Sequence, residues 1–142
     1  MSQHRCQAVV FRCIDFRLTP EFNQLLEQIG LPVGSYDLVS LAGGAKDLLS
    51  TNPAESELLF KQIEIAQRLH GVTEVVIVHH DNCGAYGIPD RQEEEKIQVS
   101  DLEKIHSLLN QRYPGLAVKS LIIKGTAEGD LRAEEVAFSV AA

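Results

Sequence analysis

Apolar residues along the chain fall into two alternating patterns, which are short continuous runs and longer stretches with helical spacing. The runs are rich in β-branched residues, a composition that favours strands, and they lie at 8–13, 36–41, 74–79 and 117–124. Between the runs, apolar residues recur every three or four positions, as they do on one face of an amphipathic helix. The pattern therefore predicts the element order β-α-β-α-β-α-β.

Capping residues mark the ends of the predicted helices. A small polar residue before a helix, a proline at its first position and a glycine after its end are the usual signals. The predicted starts are Thr19 with Pro20, Asn52 with Pro53, and the capping box of Ser100 with Glu103; the predicted ends of the first two helices are Gly30 and Gly71.

The alternation of strands and helices predicts an α/β fold, in which a parallel sheet of about four strands carries helices on its faces. The continuous apolar run within 74–79 is typical of a central strand that is covered on both sides. We interpret residues 1–142 as a single domain, because no linker or repeat interrupts the pattern. In the segment 126–142 the pattern is weak, and its V-A-F-S-V predicts either a short strand or a docking arm.

Charge and composition narrow the class of function. The chain has 13 Lys and Arg against 20 Asp and Glu, and this net charge of −7 opposes binding to nucleic acid. No apolar run approaches the roughly 18 residues that a membrane span requires, and the start M-S-Q-H-R-C lacks the apolar core of a signal peptide. We therefore expect a cytoplasmic protein without a membrane partner, whose three cysteines are reduced.

Candidate metal ligands follow two of the predicted strands. Cys13 ends the first strand, and His80 and Cys83 come directly after the third. If these strands are neighbours, the three side chains meet at one edge of the sheet, where open parallel sheets usually bind ligands. Two cysteines and one histidine are the protein ligands of one type of catalytic zinc site, in which a fourth position stays open. This pattern predicts one Zn(II) ion per chain.

An acidic residue and a positively charged residue follow the first cysteine in the pattern C-x-D-x-R. Asp15 and Arg17 follow Cys13 at steps of two residues, which places a carboxylate and its ion-pair partner beside the predicted metal. A bidentate guanidinium would orient the carboxylate and keep it ionised. The pattern thus predicts an ion pair beside the metal site.

Each of these residues also has an ordinary structural interpretation. A single cysteine is more often a small buried apolar residue than a ligand. Asp15 with Arg17 alone would be a surface ion pair, and Cys13 with Cys83 could instead form a redox pair. The placement of both motifs at the ends of strands favours metal binding over these alternatives.

Adjacent residues on a strand point to opposite faces, so only one of His79 and His80 can face the ion. We assign His80, because only it forms H-x-x-C with Cys83, and interpret His79 as a packing residue or a proton relay. The remaining candidates receive structural interpretations: Cys6 as structural or exposed, His70 as a helix C-terminal residue, His4 and His106 as surface residues, and the run 93–95 as a solvated face.

Taken together, C-I-D-F-R and H-D-N-C-G resemble the two signature segments of the β-class carbonic anhydrases, C-x-D-x-R and H-x-x-C-G. The resemblance implies zinc ligation by Cys13, His80 and Cys83, and a catalytic dyad of Asp15 and Arg17. It also implies reversible hydration of carbon dioxide to bicarbonate by a zinc-bound hydroxide, in a homodimer or higher homo-oligomer. The fourth zinc position is open to water or to the dyad aspartate.

The chain departs from the family pattern around the predicted ion. Phe16 stands where the family commonly has serine, His79 where it commonly has glycine, and S-L-A-G-G replaces its frequent R-N-A-G-N loop. Within that loop the matching Ala42 and Gly43 are candidate substrate-binding residues. The altered lining leaves two alternatives to carbon dioxide hydration, which are hydrolysis of carbonyl sulfide or carbon disulfide and a catalytically silent zinc protein.

Overall fold

A computed structural model describes residues 4–138, and a five-stranded sheet lies at their centre. The strands are β1 (Ala8–Arg12), β2 (Tyr36–Ser40), β3 (Glu74–His80), β4 (Ala117–Lys124) and β5 (Arg132–Val136). The α-helices are α1 (Phe22–Glu27), α2 (Pro53–His70) and α3 (Arg91–Arg112). This arrangement confirms the α/β fold and the order of its first seven elements.

The strand order is β2-β1-β3-β4-β5. β1 pairs in parallel with β2 and β3, and β3 with β4, whereas β5 runs antiparallel to β4 at the edge. The apolar pattern did not predict β5, because this edge strand, R-A-E-E-V, is charged and largely exposed. It precedes most of the predicted V-A-F-S-V segment, whose last two residues lie outside the described part of the chain.

The central strands of the sheet are covered on both faces. α2 and α3 pack on one face through Leu59, Ile63, Ala66, Leu102, Ile105 and Leu109, while α1 covers the other face through Phe22, Leu25 and Leu26. Six of the seven residues of β3 are buried, which agrees with a central strand between two layers. The buried histidines at its end therefore sit between the layers and out of bulk water.

The predicted boundaries of α2 are those observed. The Asn52 side chain accepts a hydrogen bond from the backbone of Ala54 at 3.0 Å, Pro53 is the first residue of the helix, and Gly71 ends it with φ of 60°. This positive φ explains why glycine stands there, since other residues adopt it at a cost. Among residues 4–138, no helix combines the length and the apolar character needed to cross a membrane.

The predicted starts of α1 and α3 were wrong. Asp15 caps a short 3-10 turn at Phe16–Leu18, Thr19 ends that turn, and α1 begins later, at Phe22. α3 begins at Arg91 with Asp90 as its cap, so the predicted capping box at Ser100 lies inside the helix. Local capping signals recur along a polar sequence, and burial of the surrounding surface decides which of them is used.

Candidate metal centre

The predicted ligands meet at the carboxyl edge of the sheet. Cys13 directly follows β1, His80 is the last residue of β3, and Cys83 lies three residues further along the chain. β1 and β3 are neighbours, and the chain turns from β1 toward β2 on one side and from β3 toward β4 on the other. The three residues thus occupy the switch point of the sheet, where open α/β folds place their ligands.

The three ligand atoms form a compact buried cluster that can hold a metal ion. One ligand atom from each of Cys13, His80 and Cys83 lies within 4.8 Å of the others, and the two sulfur atoms are 4.0 Å apart. All three residues are buried. Thiolate and imidazole ligands suit zinc and its neighbours among the transition metals.

The orientation of His80 fits a metal ligand. Its Nδ1 lies 2.7 Å from the carbonyl oxygen of Asp81, which can only accept a hydrogen bond, so Nδ1 carries the hydrogen. In a neutral ring this leaves a lone pair on Nε2, and among residues 4–138 that buried atom has no hydrogen-bond partner. A buried nitrogen left without a partner costs free energy, and coordination of an ion would satisfy it.

The two buried thiols lie within hydrogen-bond reach of each other, with their sulfur atoms 4.0 Å apart. The hydrogen bond from Cys83 lowers the pKa of Cys13 far below its ordinary value, against the opposing effect of burial. The same hydrogen bond and burial raise the pKa of Cys83. The backbone N–H of Gly43 also stabilises the Cys13 thiolate. These shifts favour a thiolate at Cys13, and a thiolate attracts a cation.

Asp15 and Arg17 form a bidentate ion pair beside the cluster. Arg17 donates from Nε to Asp15 Oδ1 at 3.0 Å and from Nη2 to Oδ2 at 2.7 Å, and its backbone N–H also donates to Oδ1 at 2.9 Å. These hydrogen bonds lower the pKa of Asp15 to about 2. Asp15 Oδ2 lies 3.9 Å from the free Nε2 of His80. The carboxylate is therefore ionised and lies next to the candidate ligands.

The Arg17 guanidinium also joins the two motifs to each other. Its Nη1 donates to the side chain of Asn82 at 2.8 Å, and its Nη2 donates to the carbonyl oxygen of Asn82 at 3.1 Å. Asn82 has φ of 53°, the left-handed conformation that turns the chain between His80 and Cys83. A shallow depression of ≈ 380 Å³, lined in part by Asp15, Arg17 and Cys83, opens this edge to solvent.

The loop after β2 packs against the same edge. Gly43 is buried and its backbone lies near Cys13, whereas Ala42 is exposed. Gly44 has φ of 66°, and a Cβ there would lie 2.9 Å from the ring of His79. His79 packs in this loop, where its Nε2 accepts a hydrogen bond from Ala45 at 3.3 Å, and burial lowers its pKa to about 4. His79 and His80 thus face different surroundings, as the strand alternation predicted.

Two buried polar residues of α3 hold the ligand-bearing loop, and the sequence analysis missed both. The Glu94 carboxylate accepts hydrogen bonds from the backbone N–H groups of Asn82 at 2.7 Å and Cys83 at 2.8 Å. One turn later, Gln98 Nε2 donates to the carbonyl oxygen of His80 at 2.8 Å. The interpretation of 93–95 as a solvated face was wrong for Glu94, which is 2% exposed. The available signal was the spacing of Glu94 and Gln98, which continues the buried stripe of α3.

Replacing Glu94 with glutamine is expected to lower the affinity for metal at the candidate centre by about 10- to 100-fold. An amide offers one acceptor oxygen in place of two, so one of the two loop N–H groups loses its partner and Cys83 is held less firmly. Competition with a chromophoric zinc chelator measures the effect. Glu93→Gln is the matched control, because that side chain is exposed on the same turn. Equal affinities in the two variants would contradict the expectation.

Comparisons with known proteins agree with this fold. A family model described as "Putative carbonic anhydrase" matches residues 3–128. An uncharacterized protein of Rickettsia conorii is 29% identical over 128 residues, which cover 84% of this chain and 68% of that protein. A tetrameric β-carbonic anhydrase of Sordaria macrospora has a similar fold, with a TM-score of 0.66 at 15% identity over 97% of this chain and 84% of that chain. The apo form of a carbon disulfide hydrolase also has this fold, with a TM-score of 0.56 at 13% identity over 91% of this chain and 78% of that chain.

Proposed function

Since the chain belongs to the family described as putative carbonic anhydrase and has the fold of the β-carbonic anhydrases, we propose that it is a zinc enzyme that reversibly hydrates carbon dioxide to bicarbonate. The observation that carries the proposal is the meeting of the two motifs. The Cys13, His80 and Cys83 cluster and the Asp15–Arg17 pair come from segments far apart in the sequence, yet they lie side by side at one sheet edge. Neither ordinary packing nor a surface ion pair requires that arrangement.

Cys13, His80 and Cys83 would hold one Zn(II) ion. The Nε2 of His80, which has no hydrogen-bond partner among residues 4–138, and the two neighbouring sulfur atoms match the ligand types of a catalytic zinc site. Zinc in such a site lowers the pKa of a bound water from 15.7 to about 7 and so supplies a nucleophile at neutral pH. Glu94 and Gln98 fix the backbone that carries two of the ligands, which keeps the donor atoms in place.

Asp15 would act as the acceptor for the nucleophilic water. Its carboxylate stays ionised because Arg17 binds both oxygens, so it can accept a hydrogen bond without being protonated itself. That hydrogen bond would turn a lone pair of the water toward the carbon of the substrate. Arg17 is itself fixed by Asn82, so the carboxylate has little freedom to rotate away. We propose Ala42 and Gly43 as part of the substrate-facing wall.

A second candidate activity is the hydrolysis of carbonyl sulfide or carbon disulfide. It is supported by the fold shared with a carbon disulfide hydrolase and by the apolar Ile88 and Pro89, which line the same depression as Asp15 and Arg17. Carbonyl sulfide and carbon disulfide are linear like carbon dioxide, so a hydroxide activated by the proposed zinc could attack their carbon in the same way. Parallel assays with carbon dioxide, carbonyl sulfide and carbon disulfide separate the two activities. Turnover of a sulfur substrate without carbon dioxide hydration would favour the second candidate.

We propose a homodimer or a higher homo-oligomer in the cytoplasm. The exposed Phe16 and Ile14 would be covered in an assembly, and three free cysteines suit a reducing compartment. Sedimentation at several protein concentrations tests the assembly. A monomer at all concentrations would contradict it.

Stopped-flow measurement of carbon dioxide hydration tests the proposed activity. We expect zinc-loaded protein to accelerate hydration, metal-free protein to show the background rate, and addition of zinc to restore the activity. The dependence on metal follows because water needs an activating ion to supply hydroxide near neutral pH. Stoichiometric zinc with a background rate would instead identify a catalytically silent zinc protein. The absence of bound zinc would favour the alternative in which Cys13 and Cys83 form a redox pair.

A further inference from the structure

A second cluster of metal-ligating side chains lies near the amino ends of the strands, at the end of the sheet opposite Cys13. Cys6 precedes β1, Asp37 is the second residue of β2, and His70 is the last residue of α2. One ligand atom from each lies within 4.8 Å of the others. Because β1 and β2 are parallel, their amino ends face away from the edge that carries Cys13. The proposed function uses none of these residues.

The histidine of this cluster is oriented by polar contacts on both ring nitrogens. His70 Nδ1 lies 2.6 Å from Asp37 Oδ2, and His70 Nε2 lies 3.2 Å from the Nε2 of His4. A hydrogen now bridges Nδ1 and the carboxylate, because the carboxylate can only accept. If an ion took the place of that hydrogen, His70 Nε2 would carry the ring hydrogen and donate it to His4. Ligating histidines in proteins are commonly oriented by a hydrogen bond of this kind.

We propose that Cys6, Asp37 and His70 form a second binding site for a divalent transition-metal ion, with His4 positioning His70. Sulfur, carboxylate oxygen and imidazole nitrogen are all zinc ligands, and such a mixed set suits zinc or cobalt better than calcium or magnesium. Bond lengths of about 2.0 to 2.3 Å require donor atoms about 3.3 to 3.8 Å apart in a tetrahedral site. Shifts on the order of 1 Å bring the present donor atoms to those separations.

The site is open to exchange with solvent, unlike the buried cluster at the other edge. The side chains of His70 and Asp37 are 26% and 32% exposed, and the three residues line a shallow depression of ≈ 140 Å³. Burial and the neighbouring Asp37 raise the pKa of Cys6, so its thiol gives up a proton when an ion binds. Because this site offers one thiolate and is partly exposed, we expect it to bind an ion with lower affinity and to exchange it faster than a site with two buried thiolates.

Metal stoichiometry of the full chain tests the second site. We expect the unaltered protein at saturating cobalt or zinc to bind two ions per chain. Cys6→Ser and His70→Gln should each bind one ion, at the Cys13 site. Cys83→Ser should also bind one ion, at the Cys6 site. Cobalt spectra distinguish the ions, because a site with one thiolate gives a weaker sulfur-to-cobalt charge-transfer band than a site with two. Circular dichroism and thermal unfolding confirm that each variant is folded; the partly exposed positions of Cys6 and His70 make folding of those two variants the expected result.

The outcomes separate this site from the proposed catalytic one. A single ion in the unaltered protein that Cys6→Ser retains would overturn the second site and leave the catalytic centre standing. Two ions retained in a Cys6→Ser, His70→Gln double variant would also overturn it. A single ion that Cys6→Ser loses and Cys83→Ser keeps would support the second site and refute zinc binding at the catalytic one.

Discussion

Replacing Cys83 with serine is expected to abolish tight zinc binding and reduce carbon dioxide hydration to the background rate. Cys83 and Cys13 supply the two sulfur ligands of the candidate centre, and a serine hydroxyl does not ionise at neutral pH to replace one of them. The two remaining ligands, Cys13 and His80, leave the ion too weakly held to survive purification. The serine hydroxyl can still donate a hydrogen bond to the Cys13 sulfur, so the change removes a metal ligand and keeps a donor beside Cys13.

Thermal unfolding gives a second measure of the same change. A ligand at 1,000 times its Kd stabilises a folded protein by about 4.1 kcal/mol, which for a chain of this size raises Tm by on the order of 10 °C. We expect that gain from the tight ion in the unaltered protein and its loss in Cys83→Ser. The tight component of a chelator titration separates this ion from a weaker one at Cys6. Ala85→Ser is the matched control, because it places the same hydroxyl on an exposed neighbour.

Retention of tight, stoichiometric zinc by Cys83→Ser would refute the assignment of Cys83 as a ligand. A loss of zinc in the Ala85→Ser control would instead show that the loop tolerates no substitution. The stability measurement distinguishes the two cases, since a general disturbance of the loop lowers Tm without added metal as well as with it.

Replacing Asp15 with asparagine is expected to lower kcat/KM for hydration by about 10² to 10⁴ while zinc stays bound. The amide has the shape of the carboxylate but loses its charge, so it orients the nucleophilic water poorly. It also breaks one of the two hydrogen bonds from the Arg17 side chain, which frees the guanidinium that holds Asn82. Stopped-flow hydration and metal analysis on the same preparation measure both effects.

Asp130→Asn provides the control, because Asp130 is exposed. Unchanged kcat/KM in Asp15→Asn with full zinc occupancy would exclude Asp15 as the water acceptor. Loss of zinc together with activity would instead place Asp15 among the metal ligands. The two results imply different roles for Asp15, since a carboxylate that binds the ion would occupy the fourth coordination position, which the nucleophilic water needs.

The sequence predicted the fold because its strands are short, apolar and regularly separated by helical periodicity. Burial of apolar side chains is the dominant favourable contribution to folding. The spacing of apolar residues that allows this burial can therefore be recognised in the sequence alone. The same pattern placed Cys13 and His80 at strand ends, and the structure brings them together with Cys83 because β1 and β3 are neighbours. The roles of these residues in catalysis remain predictions.

The sequence failed where contacts between distant polar residues decide the outcome. Glu94 lies in a run of three glutamates that is typical of a solvated surface, yet its carboxylate is buried against the loop of Cys83. A buried carboxylate is stable only with partners, and its partners here are backbone N–H groups that no side-chain pattern records. Cys6 has no motif around it for the same reason, since Asp37 and His70 come from other elements.

By itself, the sequence determined the layering of the molecule and the chemical types of the ligand side chains, because hydrophobic burial and donor chemistry are properties of individual residues and their spacing. Only the tertiary structure decided which polar groups meet: Arg17 with Asn82, Glu94 with the loop of Cys83, and Asp37 with His70. Hydrogen bonds and ion pairs depend on distance and direction, and the packing of helices on the sheet fixes both.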